Sequence, residues 1–400
     1  MNILIFTWKD LGIPDVCEAL DKLGCSWNCV SSEHLRERVS AEFDQLFERT
    51  FEEGHYDAVF TFNFSPVLSN NCNRRNVPYL AFVYDSPLIQ LYSVSLINPC
   101  NHIFLFDKIL YQEFVQAQIP TVHYAPLAVN TERIARQLEN LDCVEETEGG
   151  KTVRESYTCD VSFLGSMYNE TPDFFGRLKN LPSYVQGYLD AAMAAQRQVC
   201  GHWFIEELLT PDIIEAMQNS LAPARVRPNP DGVETVSWIF ANVFLARKMA
   251  AVERKELLTA ASEQFETWIY TPGPTPELPR VKNRGPVDYY QYMPFVFACS
   301  RINLNTTLRS IRSAVPLRAM DIMGAGGFLL SNYQSEFYDL FVPGEDMEIF
   351  YSTEDMVQKC DYYLKHDAKR RQIAANGYGK VKEKHTFEVR MKEILSEVFN

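Results

Sequence analysis

The residues of this chain best suited to chemistry fall between Arg301 and Asp321. Arg309, Arg312 and Arg318 lie in or just before the first turn of an expected helix opened by Pro316. Guanidinium groups beside the unpaired N–H groups of a helix start favour an anion such as a diphosphate. Asp321, about one turn further in, is an acid on an otherwise apolar face, and a carboxylate there can accept from two ribose hydroxyls. A second reading stays open, in which the arginines form a solvated face and Asp321 pairs with Arg318 at i, i+3.

The glycines that follow, in "MGAGGF", come after a helix and before a strand. That order suits a helix C-cap and close packing rather than a phosphate cradle. Neither phosphate fingerprint is present: GxxxxGK[ST] is absent, and the first strand leads into "FTWKDLGIPD" with a single glycine. The pattern speaks against a nicotinamide-dependent dehydrogenase.

Composition bounds the remaining classes. The 400 residues are 46% hydrophobic, 13% aromatic and 22% charged, the profile of a well-packed protein of two domains. A net charge of -14 argues against nucleic acid or an anionic membrane surface as partner. The ten cysteines form no CxxC pair and read as reduced thiols of a cytoplasmic protein. The seven histidines show no HExxH, so no metal site is expected. "MNILIFTWKDLG" reads as a first strand and not a signal peptide, and no apolar window is long enough for an integral membrane segment.

The elements that must position these residues follow an α/β rhythm. "NILIF", "SWNCV", "DAVFTF", "PYLAFVY" and "HIFLF" alternate with amphipathic stretches, as in a parallel sheet covered on both faces. Residues 1–140 are expected to form a Rossmann-like domain, followed by a linker at 141–157. Residues 158–385 are expected to form a second such domain, interrupted by a helical insertion at about 172–261, with a C-terminal helix at 386–400. Two such domains are expected to face each other across a cleft, with ligands outside the carboxyl ends of the strands.

The segment from "RINLN" through "PLRAMDIMGAGGFLLS" and "YST" to "KHTFEVR" resembles the glycosyltransferase-like domain of CgeB-type spore-coat maturation proteins, and "YDSP" and "DVSFLGS" resemble the same family more loosely. The resemblance implies a GT-B fold, with a nucleotide-sugar donor held mainly by the C-terminal domain and an acceptor by the N-terminal one. It implies metal-independent transfer and no cofactor beyond the donor, a UDP-sugar, with a protein or glycan as acceptor. Many retaining relatives carry two glutamates eight positions apart on this helix. Asp321 stands at the second position and Ser313 at the first, so the ribose role carries over and the first acid does not.

The same resemblance gives roles to further positions. Gly165 and Ser166 fall where a strand-end turn approaches the diphosphate, or where an ordinary βα turn stands. Asn305 and Thr306 end the "INLN" strand at the same edge, where Asn can equally cap a turn. Tyr270 and Thr271 either line the base pocket or belong to the core. Asp85, at the end of the fourth strand, is the candidate catalytic base, or forms an Asp-Ser-Pro turn. His385 precedes a helix that Thr386 is expected to cap. The alternative to an enzyme is a catalytically inactive scaffold of the same shape; a non-hydrolysing epimerase would need a denser set of acids and histidines.

Overall fold

The computed structural model describes residues 1–139, 141, 152–170 and 173–399. Most of the expected linker lies outside the described residues. The chain divides into two compact units, each built on its own sheet.

The first unit comprises Met1–Ala128, Arg227–Val236 and the segment from Thr386. Its strands are β1 (Asn2–Thr7), β2 (Ser26–Ser31), β3 (Ala58–Phe62), β4 (Tyr79–Phe82), β5 (Asn101–Leu105) and β6 (Val122–Tyr124). They pair in the order β2-β1-β3-β4-β5-β6, all parallel. Strand β3 is buried along its whole length, which is why "AVFTF" reads as a continuous apolar run without alternation. Phe6, Phe43 and Phe47 meet in the core at ring separations of 5.2 and 6.1 Å. The short strand β6 escapes periodicity because three residues are too few to show any. The helix Phe387–Phe399 belongs to this unit and is capped by Thr386, whose hydroxyl accepts the Val389 N–H at 3.3 Å.

The second unit comprises Val129–Val226 and Ser237–His385. Its strands are β7 (Val161–Leu164), β8 (Thr267–Tyr270), β9 (Lys282–Asn283), β10 (Ile302–Asn305), β11 (Leu329–Asn332) and β12 (Glu348–Phe350). The order is β12-β11-β10-β7-β8-β9, again all parallel. Adjacent strands β7 and β10 sit at the middle, where a parallel sheet opens its ligand-binding edge. Between β7 and β8 run the helices Ser183–Arg197 and Pro211–Ser220, then a π-helix, Phe240–Leu245, that continues into the helix Ala246–Gln264.

The glycine-rich stretch closes the helix Leu317–Gly324. Gly326 adopts φ 72°, the left-handed conformation of a C-terminal cap. A Cβ on Gly327 would lie 2.5 Å from the Phe297 carbonyl oxygen, so only glycine fits between that helix end and its neighbour. Among the described residues no helix is long and apolar enough to cross a membrane.

Candidate functional site

At the carboxyl end of β7 the chain turns at Gly165, whose N–H donates to the Tyr270 carbonyl at 3.1 Å. A Cβ on Gly165 would approach the Arg318 guanidinium to 2.6 Å. Arg318 stands in the first turn of the helix Leu317–Gly324, with Pro316 as its N-cap residue. One of its nitrogens donates to Asn305 Oδ1 at 3.2 Å, and its guanidinium lies 5.5 Å from the centre of the Phe163 ring. Asn305 ends β10, fully buried, and is held in place because its amide donates to Ser331 at 2.9 Å and Thr307 at 3.2 Å.

A second guanidinium converges on the same ring. Arg254, on the helix Ala246–Gln264, is 3% exposed and lies 5.3 Å from the Phe163 centre and 4.6 Å from that of Tyr168. It donates to Thr306 Oγ1 at 3.0 Å, to the Thr306 carbonyl at 3.1 Å and to the Ser166 carbonyl. Among the described residues neither Arg254 nor Arg318 forms an ion pair with a carboxylate. Burial, followed by the like charge of Arg254, pulls the Arg318 guanidinium down to about 10. It stays protonated at neutral pH, so the site holds two positive charges in a partly dehydrated setting, on which Asp321 and Glu253 act only from beyond ion-pair distance.

The turn beyond Gly165 is shaped by Glu170. Its carboxylate accepts from Ser166 Oγ at 2.5 Å, the Met167 N–H at 2.9 Å and Thr271 Oγ1 at 3.2 Å. Burial acts to raise this carboxyl, but the hydrogen bonds outweigh it and leave it below the ordinary glutamate value. Ser166 and Thr271 are therefore brought together through an acid that the sequence reading passed over. Tyr270 is buried at the end of β8.

The other expected anion-binding residues are placed differently. Arg309 donates to Glu253 at 2.6 Å, to the Val199 carbonyl at 2.8 Å and to the Arg197 carbonyl at 3.2 Å. It fastens the insertion to the loop after β10 and has its charge matched by a half-buried acid. Arg312 lines a small cavity with Trp203 and Tyr333. Asp321 is 2% exposed and accepts from the Tyr289 hydroxyl at 3.1 Å. Ser313 donates to the buried Glu336 at 2.5 Å. His385 is buried, its ring 5.4 Å from that of Phe341.

In the first unit, Asp85 is exposed just beyond β4, where Asn63 organises its loop. Asn63 donates to Asp85 at 2.9 Å and its side-chain oxygen accepts the N–H groups of Tyr84 and Asp85 at 3.1 and 3.0 Å. Asn63 and Lys9 hold φ of 58° and 56°, unfavourable for residues with a Cβ, at the carboxyl ends of β3 and β1. Beside Lys9, Asp10 accepts from Thr7 Oγ1 at 2.9 Å and the Trp8 N–H at 2.8 Å, and burial raises its carboxyl. Asp10 is a second acid on the sheet edge that carries Asp85, and the sequence reading passed over it as well. Among the described residues no group of three or more His, Cys, Asp or Glu side chains could hold a metal ion.

Residues 247–396 match the family model described as glycosyl transferase-like. This segment is similar to glycosyl transferase-like domains. It contains Arg254, Asn305, Arg318 and Asp321, and spans well under half of the chain. No curated protein matches the chain in sequence. Among solved structures, the chain is similar to an α,α-trehalose-phosphate synthase (UDP-forming) from Burkholderia vietnamiensis, with a TM-score of 0.54, 10% identity and coverage of 99% of this chain and 98% of that one. A sucrose-phosphate synthase from Thermosynechococcus elongatus gives 0.53 at 9% identity over 100% and 99% of the two chains. Anabaena HepE in complex with UDP and glucose gives 0.51 at 11% identity, again over 100% and 99%. At such identities the likeness is one of fold, and the chain has the GT-B fold, built from two Rossmann-like domains.

Proposed function

We propose that the chain is a metal-independent glycosyltransferase that takes a sugar from a UDP-sugar and passes it to a protein or glycan acceptor. The observation that carries this reading is the pair Arg254 and Arg318 at the glycine turn after β7, one buried and one half-buried, neither in an ion pair with a carboxylate among the described residues. A diphosphate supplies a close counter-charge. Gly165 leaves the space that lets its oxygens approach Arg318 and the backbone.

In the reaction the bond between the anomeric carbon and the diphosphate oxygen breaks, and negative charge grows on the departing oxygen. Guanidinium groups fixed in a dehydrated site stabilise that charge more in the transition state than in the ground state. Arg318 lies nearest the turn and is assigned to the leaving group; Arg254, held by Thr306 and Ser166, is assigned to hold the position of the diphosphate. Asp321 is assigned to the ribose, after exchanging its Tyr289 partner. Asp85 is assigned to receive the proton of the acceptor hydroxyl. The UDP carried by the HepE structure of the same fold supports the choice of base.

The test is release of UDP from UDP-glucose, with and without a glycan acceptor. Wild type is expected to release UDP, and Arg318→Ala to release it at least a hundredfold more slowly, about 2.7–4 kcal/mol of transition-state stabilisation. Equal rates would overturn the assignment. If no nucleotide stabilises the protein against heat, the inactive scaffold is the better reading.

A further inference from the structure

We propose that a cavity at the carboxyl ends of β10, β11 and β12, together with the exposed tyrosines at its rim, binds an uncharged oligosaccharide. The cavity, of about 270 Å³, lies wholly in the second unit. It falls just below the ~300–1,000 Å³ of drug-sized sites, the scale of one sugar ring rather than a whole glycan. Thr306, Asn332 and Phe350, each at or just past the end of its strand, line it from the sheet. The helices Ala246–Gln264 and Thr353–Lys365, packed against each other, supply further lining residues. No residue of the helix Leu317–Gly324 lines it, so the cavity is distinct from the place of Arg318.

The charges of the lining are already matched. Arg309 pairs with Glu253 at 2.6 Å and Arg197 pairs with Glu256. The one further acid, Glu354, lies in the first turn of the helix Thr353–Lys365, where backbone N–H and Ser352 hold its carboxyl below the ordinary glutamate value. Two bases against three acids give nothing to draw an anion, and the helix start offsets the third acid.

What the lining lacks is acceptors. The Arg197 Nε–H is buried and has no hydrogen-bond partner among the described residues. Trp203, 5% exposed, lines an adjoining cavity that shares Arg309, Asn332, Phe350 and Tyr351, and its indole N–H is likewise without a partner. A buried N–H without an acceptor is costly. Sugar hydroxyls, which accept as well as donate, satisfy both groups and need no net charge around them.

The rim supplies the apolar partner that a sugar ring also needs. Tyr338 and Tyr351 are 52% and 56% exposed, and their hydroxyls are hydrogen-bonded to each other at 2.5 Å. Their ring centres lie 6.2 and 6.0 Å from that of Tyr333. Rings tied together in this way lose little further freedom when a ligand packs on them. The C–H face of a pyranose packs on an aromatic face, leaving its hydroxyls to polar groups. Tyr351 lines the cavity as well, so one unit inside places the next against the tyrosines. That the bound glycan is the acceptor rests on the transferase reading above; the binding itself does not.

The test is an array of uncharged and sulfated oligosaccharides probed with the full chain, followed by calorimetric titration of the best-bound uncharged glycan. Binding to uncharged glycans is expected. Tyr338→Ala and Tyr351→Ala, both at exposed positions, are each expected to weaken it by about tenfold while melting near wild type. A saturating non-hydrolysable phosphonate analogue of UDP-glucose is expected to leave glycan binding in place. Binding to no glycan or to sulfated ones alone, wild-type affinity in both tyrosine variants, or displacement by the analogue would overturn the proposal. Failure to bind UDP or to transfer sugar counts against the transferase reading and leaves these outcomes as they are.

Discussion

Arg254 and Arg318 converge on the ring of Phe163, their guanidinium carbons 5.3 and 5.5 Å from its centre, although they stand on different helices. Two like charges brought together in a partly dry setting call for a close counter-charge, and among the described residues no carboxylate forms an ion pair with either, Asp321 and Glu253 acting on them from further away. Phe163 sits at the end of the central strand β7, so the charges are aimed at the sheet edge where parallel α/β proteins bind their ligands.

Arg254 is assigned both a binding and a structural role, and the two separate by measurement. Arg254→Ala is expected to lower the melting temperature, because the Thr306 and Ser166 carbonyls lose their donors, and also to weaken UDP binding. Arg254→Lys is expected to restore part of the binding but not the stability, since one ammonium cannot reproduce the three directed bonds. Thermal melts with and without UDP check both.

Gly165 is expected to tolerate no side chain when nucleotide is bound. The methyl of Gly165→Ala would stand 2.6 Å from an Arg318 nitrogen in the present geometry. Displacing that guanidinium is expected to weaken UDP binding by about tenfold while changing stability less, a difference read by titration against thermal melting.

Arg309 is expected to act through stability. Its removal leaves the half-buried Glu253 with Arg197, 4.0 Å away, as its remaining ion-pair partner, which costs about 1–3 kcal/mol. Arg309→Ala should therefore melt well below wild type. Adding Glu253→Gln to that variant should recover part of the loss, because the weakly paired charge is gone.

Asp10 makes a pH prediction of definite sign. Burial raises its carboxyl, so the folded state favours the protonated acid. The stability this contributes is present below the ordinary aspartate value of 3.8 and is lost as pH rises through the raised value. Asp10→Asn should thus stabilise the protein increasingly as pH rises from the ordinary aspartate value of 3.8 through the raised one, and by a constant amount above it, judged from denaturant unfolding at several pH values.

The sheet rhythm was legible because buried parallel strands are continuous apolar runs, and the C-cap role of "MGAGG" because the order of helix, glycines and strand is local. Arg318 was legible from its place in a helix's first turn. Arg254 was not, since it meets Thr306 across 52 positions of sequence and lies inside a long helix. The available signal was an arginine in the buried stripe that contains Ala250, Leu257 and Leu258. Arg309 looked like its neighbour Arg318, and only the fold reveals Glu253, 56 positions away. Glu170 and Asp10 act through short loops whose hydrogen bonds leave no periodic trace.

Calorimetric titration of UDP into wild type and Arg318→Ala tests the central claim most directly. The account predicts binding to wild type and at least ~tenfold weaker binding to the variant, as expected for loss of a charge-assisted contact to phosphate. Equal affinity in the two proteins, with the variant folded, would contradict it.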